Sequence, residues 1–488
     1  MNHRPIARTA LLAALVGSLS ACSDLTGLNE NPNAPTDVSA EFLLPQAIRA
    51  GVEQTFGATM MLSHTGIWAG HYAQIQYPDE EQGLLRPGTM DGFWDGYYAG
   101  PLKDIQTVVE KGQELSEPNH EGVGLIWRSW LFHQATDLWG DVPYTEALAG
   151  AANTTPVYDP QAAIYAGLLN DLEAGAAMLD PSAADFGDGD ILYDNDMAKW
   201  ERFANSLRMR LAMRLVNQDP ALAGAEFQAA YTAGGFTSNA DNAMLNWPGA
   251  PYENPLYENA LGRDDHSISG ALVDTLLSLS DPRLELYAEP AAADGAYRGH
   301  YNGYSDPPLT INNYSRIGSF WRHDGAATPT AIMTYAEVLF LQAEAVARGW
   351  PVPGNEAQLY YDAIRASMNQ YDAWGPAGAP TDAEIAAYLL NPLVVYNPAA
   401  PLAARLDKIH LQLWIALYAN ANETFSHWRR TGTPDLTPGP DLVTAGGVIP
   451  IRFSYPSGEQ SFNGANLDAA VARQGGGNDL VTPLWWMP

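Results

Sequence analysis

The chain contains one cysteine, Cys22, in 488 residues, so no internal disulfide can form and the fold must be held by burial and polar pairing. A chain of this length buries ample apolar surface for that. With 46% hydrophobic and 17% charged residues, its acidity belongs to a folded globule and not to a disordered tail.

The setting of the cysteine is equally restrictive. Arg4 and Arg8 precede an apolar stretch from Ala10 to Val16, which runs into Leu19-Ser20-Ala21-Cys22. This reads as a signal peptide, its apolar part too short for the roughly 20 residues a membrane span needs. Leu-Ser-Ala-Cys matches the bacterial lipobox, in which the thiol takes a diacylglyceryl group and the cysteine becomes the new N-terminus, open to a further acyl chain such as palmitate. An ordinary secretory peptide cut at an Ala-x-Ala-like site would leave Cys22 free. The expected organisation is therefore a lipoprotein signal peptide over 1–21, a tether over 22–40 rich in turn formers, and a single α-helical domain over 41–488. No later segment is apolar enough to cross a bilayer, so the lipid is the expected anchor. Losing Arg4 and Arg8 takes the formal net charge from −31 to −33. Such a field repels phosphate backbones, argues against nucleic acid, and favours neutral or cationic ligands.

Helical periodicity dominates the rest. Ile164, Leu168, Leu172, Ala176 and Leu179 form one stripe, and Trp200, Phe203, Leu207, Leu211 and Leu215 another. The second helix carries Arg202, Arg208, Arg210 and Arg214 off its stripe, which are read as partners of acidic neighbours. Thr334-Tyr335-Ala336-Glu337 reads as a capping box, with the Glu337 side chain reaching back, and Gly349 and Pro351 close that helix. Further helices are expected from Glu356 to Met368 and from Leu406 to Ala419. Strand-like alternation is scarce. Pro-, Gly- and Tyr-rich stretches at 245–266, 286–325 and 432–488 are too long for connectors, and long loops on a helical scaffold tend to carry function.

Motifs of catalysis are missing. There is no His-Glu-x-x-His, Cys-x-x-Cys, phosphate-binding Gly-rich loop or Gly-x-Ser-x-Gly elbow; His266-Ser267-Ile268-Ser269-Gly270 lacks the elbow's leading glycine. Asp185, Asp188, Asp190, Asp194 and Asp196 cluster without the spacing of an EF-hand and read as turn and cap residues, so no metal and no cofactor is expected. With 56 acids, chance supplies many carboxylate pairs, which leaves a surface glycosidase open as an alternative.

Thr136-Asp137-Leu138-Trp139-Gly140-Asp141-Val142-Pro143-Tyr144 is followed by Pro156-Val157-Tyr158-Asp159 and Trp200-Glu201-Arg202-Phe203-Ala204-Asn205. Asp281-Pro282-Arg283-Leu284, Met333-Thr334-Tyr335-Ala336-Glu337, Trp428-Arg429-Arg430-Thr431-Gly432 and Pro450-Ile451-Arg452 come after them. In this order these segments, the first the most specific, resemble the SusD/RagB family of nutrient-binding outer-membrane lipoproteins, and within it the SusD-like group 2 subfamily. The resemblance implies a mainly α fold, with a tetratricopeptide-like helix-pair scaffold and an irregular, loop-rich ligand-binding half. It implies a non-catalytic receptor, lipid-anchored in the outer membrane and facing the cell exterior, that passes oligosaccharides or peptides to a SusC-like TonB-dependent transporter. A helical-repeat adaptor without ligand is a further alternative.

Fourteen Trp and 24 Tyr suit sugar binding, because sugar C–H faces stack on aromatic rings while hydroxyls bond to amides and charges at the rim. Trp127, Trp130, Trp200 and Trp414 sit at helical spacing and are assigned to the core, and the Trp139–Tyr144 element to a rigid turn. The ligand-binding candidates are loop residues: Trp68, Tyr72, Gln74 and Tyr77 in one run, Trp247, Tyr252, Asn254 and Tyr257 in another, with Arg263, Tyr314 and Trp321. The lipobox reading is tested by Cys22→Ser. Wild-type protein should incorporate labelled palmitate and sediment with membranes, and the variant should lose both properties; label retained by the variant contradicts the assignment.

Overall fold

Three successive helices begin with a proline at the first helical position, where a missing N–H costs nothing: α2 (Pro87–Tyr98), α3 (Pro101–Leu115) and α4 (Pro118–Trp139). With α1 (Ala40–Phe56), α5 (Gln161–Met178), α6 (Met197–Arg214) and α7 (Pro220–Ala233) they make up the first half of the chain. The computed structural model describes residues 38–305 and 310–488. Cys22, the signal segment 1–21 and almost all of the tether 22–40 lie outside the described residues. The elements named here all belong to the unit Ala40–Pro488.

From α3 onward each helix packs on its chain neighbour: α3 on α4, α4 on α5, α5 on α6, α6 on α7, with α1 laid against α3. This is the tetratricopeptide-like arrangement of stacked pairs. Helices α4 and α5 cross closely. A Cβ on Gly122 would sit 2.7 Å from the Gly175 carbonyl, and one on Gly175 would sit 2.8 Å from that of Gly122, so only glycine permits this approach.

The second half is looser. It contains α8 (Pro255–Gly262), α9 (Gly270–Leu279), α10 (Tyr335–Ala347), α11 (Glu356–Asn369), α12 (Asp382–Leu389), α13 (Leu402–Ala416), α14 (Ala421–Thr431) and α15 (Gly464–Arg473). Helix α10 packs on α11, on α13 and back on α6, which joins the halves. Three antiparallel strand pairs pin the intervening loops: β1 (Tyr72–Gln74) with β3 (His266–Ile268), β2 (Ala243–Leu245) with β6 (Thr330–Met333), and β4 (Ala288–Glu289) with β5 (Arg316–Ile317). Helix α13 runs about one turn earlier than its periodicity predicts. It starts after the extended Pro401 and stops at Ala416, because Ala419 turns left-handed (φ 64°) and Asn420 caps α14.

Of the arginines of α6, Arg210 and Arg214 find acids inside the protein, whereas the partly exposed Arg202 pairs with Asp241 at 2.9 Å. Arg210 donates two hydrogen bonds, from Nε and Nη2, to the two carboxylate oxygens of Glu337 of α10 (2.6 and 2.7 Å). Arg214 donates from Nη2 alone to both carboxylate oxygens of Glu423 of α14 (2.9 and 2.7 Å), and its Nε lies 3.2 Å from Asp137 of α4. His133 sits 3.0 Å from Asp137, which also accepts the Tyr165 hydroxyl of α5 at 2.5 Å. About two turns along α10, Glu344 is gripped by both guanidinium nitrogens of Arg430 at 2.7 Å, with His410 3.1 Å away. Glu337 is thus drawn to Arg210 and does not reach back to its own helix start. Thr334 still receives the Glu337 amide, so half of the expected capping box forms.

The 136–147 element is a rigid corner. Thr136 Oγ1 bonds to the Gly140 carbonyl, Asp141 accepts the Gln161 amide at the start of α5, and the Trp139 indole reaches Ser454. Gly140 has φ 88°, which favours glycine. The aspartate cluster acts through backbone bonds: Asp190 accepts the amides of Leu192, Tyr193 and Asn195 and the Trp200 indole, and Asp196 caps α6. Trp127, Trp130, Trp200 and Trp414 are core residues.

Removing one partner from a buried pair leaves the other charge stranded, at a cost of roughly 3–5 kcal/mol. Glu344→Ala should therefore lower unfolding free energy by about that amount in chemical denaturation. Burial alone would raise the Glu344 and Asp137 carboxyls. Arg430 and His410 outweigh it at the first, Arg214 and His133 at the second, and both end well below the usual range. Their stabilisation is present above the unfolded value of about 4 and is lost as pH falls through the folded value. Stability of Glu344→Ala should accordingly fall less steeply below pH about 4 than that of the wild type. Equal slopes would contradict the assignment.

Candidate functional site

Beyond α1 the chain passes through Gly57-Ala58-Thr59 into a π-helical turn, Met61–Thr65. Such turns are rare and recur at functional sites. Strand β1 follows, and its pairing with β3 sets Gln74 directly opposite His266. Helix α8, capped by Asn254 through the Leu256 amide, brings Asn259 and Arg263 to the same place. Between these elements and α2 lies a cavity of about 380 Å³, lined by Ser63, Gln74, Tyr77, Asn259, Arg263 and His266, with Glu80, Arg86, Thr59 and Thr89 at its edges. It shares Ala58, Thr59, Thr89 and Asn259 with a more open cavity of about 730 Å³, bordered by Glu53, Gln54, Phe93, Pro255 and Glu258. The two form one groove.

Its inner end is polar and only loosely bonded. Gln74 Nε2 donates to Ser63 Oγ at 3.3 Å and to Glu80 Oε2 at 3.4 Å, and Ser63 Oγ lies 3.4 Å from His266 Nε2. Gln74 Oε1 and Asn259 Oδ1 are buried acceptors without a hydrogen-bond partner among the described residues. A buried acceptor of this kind costs free energy until a donor reaches it. Behind this face Glu81 accepts the Gln74 amide (2.5 Å), Asn302 Nδ2 (3.1 Å) and the Gly303 amide (3.0 Å), tying β1 to the 302–303 loop. Burial pushes the Glu81 carboxyl up to about 8 against these donors. At the mouth, Tyr77 is 60% exposed, and the Arg263 guanidinium lies 5.6 Å from its ring centre.

The eleven sequence candidates divide clearly. Gln74, Tyr77 and Arg263 line the groove. Asn254 is buried and acts by capping α8. Tyr252 is exposed under Arg49, whose guanidinium holds Glu53 of the groove wall, and Tyr257 is half-buried on α8. Trp68, Tyr72, Trp247 and Trp321 are 0–4% exposed and do not line this groove, though Trp68 borders a separate cavity. Trp68 packs on Phe425 and Phe453, Trp321 on Tyr287 and Tyr418, Tyr72 on Tyr418, and the Trp247 indole is used by Thr330. These loops need a core of their own, and the large rings supply it. Tyr314 is half-buried with its edge on His300, away from the groove lining. Sequence reasoning missed Ser63, Glu53, Glu258, Asn259 and His266. The available signal was the small-residue break Gly57-Ala58 between two helical stretches. A separate cavity of about 410 Å³ lies between Tyr301, Tyr304 and Leu436; its carboxylates include Glu81, already fully bonded, and Asp274, which accepts the Tyr301 hydroxyl.

Ser63, His266 and Asp265 stand in the order of a proton relay, with His266 Nδ1 3.3 Å from Asp265 Oδ1. Asp265 also accepts from Arg263, whose Nε donates at 3.1 Å, and burial lowers His266 to about 4.

The family model for SusD-like proteins of group 2, described as starch-binding and associating with the outer membrane, matches residues 32–456. Among solved structures, a chitin-binding protein is 29% identical with a TM-score of 0.82, over 92% of this chain and 100% of its own. A SusD homologue from Bacteroides fragilis is 25% identical with a TM-score of 0.78, over 92% and 99%. A chitin-binding SusD homologue from Flavobacterium johnsoniae is 24% identical with a TM-score of 0.80, over 91% and 98%. No curated protein matches the chain. A model match over most of the chain, on a scaffold of stacked helix pairs with a loop-built groove, leads to one conclusion: the protein belongs to the SusD-like group 2 family.

Proposed function

We propose that this protein captures a glycan in the groove between α2, α8 and the β1–β3 pair and releases it uncleaved to a SusC-like TonB-dependent transporter, while a lipid on Cys22 holds it at the outer membrane. The carrying observation is a groove that offers amide, hydroxyl and carboxylate groups along its length and one exposed ring, Tyr77, at its mouth. Sugars meet those two demands together, presenting hydroxyl donors at their edges and C–H faces for stacking. The chitin-binding protein that shares 29% of its sequence supports a glycan over a peptide. Among the described residues no helix is long and apolar enough to cross a membrane. A few hydrogen bonds and one stacking face give modest affinity, as suits a ligand that is passed on.

Isothermal titration against chitin and malto-oligosaccharides, with short peptides as controls, tests this reading. A glycan should bind without release of reducing ends, and Tyr77→Ala should weaken binding about tenfold, the worth of one stacking contact. Peptide binding without glycan binding, or liberation of reducing ends, would overturn it.

A further inference from the structure

The cavity of about 410 Å³ shares no lining residue with the groove, although Glu81 borders the cavity and Glu80 the groove. Its most exposed ring is placed by backbone pairing. The His300 amide donates to the Ile268 carbonyl and the Gly270 amide to the His300 carbonyl, which sets Tyr301 beside Gly270 at the start of α9. A Cβ on Gly270 would stand 2.9 Å from each of three consecutive ring atoms of Tyr301, Cδ1, Cε1 and Cζ. Equal distances to three consecutive atoms put that point over the face of the ring and not at its edge, so Tyr301 lies flat on the glycine backbone. Its hydroxyl donates to Asp274, about one turn into α9. The ring is thus held by one face and by its tip, yet the residue is 55% exposed, and its other face opens on the cavity.

The surrounding walls are fixed as well. A Cβ on Gly303 would fall 2.8 Å from Gly439 Cα, so these two loops meet backbone to backbone, and the Asp441 amide donates to the Gly303 carbonyl. Buried Trp68 borders the space, and Tyr304, 42% exposed, adds a second ring. Among the described residues that line it, none is Lys, Arg or His; the charged ones are Glu81, Asp274 and Asp435. Glu81 is buried and bonded, and Asp274 holds Tyr301, which leaves Asp435 and Thr437 as exposed polar groups. A lone exposed tyrosine is ordinary. A ring immobilised in a preformed concavity is a binding platform, because stacking on it costs no side-chain freedom.

We propose that this cavity is a second glycan site, separate from the groove, in which a neutral sugar ring stacks on the free face of Tyr301 and its hydroxyls bond to Asp435 and Thr437. This rests on the reading of the protein as a glycan receptor and adds a site that fills independently of the groove. The C–H face of a pyranose matches the tyrosine ring. Uronates and sulfated sugars would meet carboxylates with no cation among the lining residues to receive them.

Hydroxyl-radical footprinting of the mature chain, read at single tyrosines, is run with rising concentrations of N-acetylglucosamine trimer, maltotriose and trigalacturonate. At least one neutral trimer should protect Tyr301 and Tyr304, and trigalacturonate neither. Gly270 is helical and not left-handed, so Gly270→Ala keeps the backbone while its methyl displaces the ring; Tyr301→Ala removes the ring. Followed at Tyr304, each substitution should weaken the site about tenfold, the worth of one stacking contact, and protection of Tyr77 in the groove by the same sugar should stay as in the wild type. Should Gly270→Ala destabilise the chain, Tyr301→Ala, at an exposed position, decides. Protection of Tyr77 alone, equal protection by trigalacturonate, or protection of Tyr304 that survives both substitutions overturns this inference and leaves groove capture intact. Protection of Tyr301 and Tyr304 without Tyr77 supports it and overturns the groove as a glycan site. Protection at none of the three overturns both.

Discussion

The contact on which the structure depends is the buried pairing of α6 with α10 and α14. Arg210 meets Glu337 and Arg214 meets Glu423, with less than a tenth of any of these side chains exposed. Asp137 and His133 extend the pairing to α4, and Tyr165 to α5. Glu344, Arg430 and His410 repeat the device about two turns further along α10. Apolar residues of similar volume would have filled this space at no loss of stability. What charge supplies is register: a bidentate guanidinium–carboxylate pair closes in one geometry, and two of them on one helix face fix both its rotation and its translation. A helical array without disulfides and a loop-rich second half are thereby locked together.

Much of the array was legible because it obeys local rules. The stripes of α5 and α6, the Thr334 cap, the corner at 136–147 and the core tryptophans follow from spacing, and the family's motif order points to the same fold. The paired arginines of α6 were legible in kind but not in depth. A pattern of Arg at 208, 210 and 214 looks like a solvated face, and only the tertiary structure brings acids from 209 and 127 residues away to bury them. The same effect redirected Glu337 from its helix cap.

The site was less readable. Aromatic richness in loops suggested stacking surfaces, yet Trp68, Trp247 and Trp321 went to a local core, because loops of this length must bury something to stay ordered. What faces the groove is smaller and more polar: Ser63 from a π-helical turn, Gln74 from a three-residue strand, Asn259 from an eight-residue helix. None belongs to a motif, and the three come from separate parts of the chain. Only strand pairing and helix placement make them neighbours, so no window of sequence contains the site.

Scaffold and groove thus divide the work. The buried pairs hold the helices still, and the loops laid over them shape the groove. Hydrogen exchange followed by mass spectrometry, with and without a bound glycan, tests this division most directly. The account predicts that ligand slows exchange in the π-helical turn, in β1 and in α8, and leaves α6, α10 and α14 equally protected in both states. Protection gained in those three helices, or none gained around the groove, would contradict it.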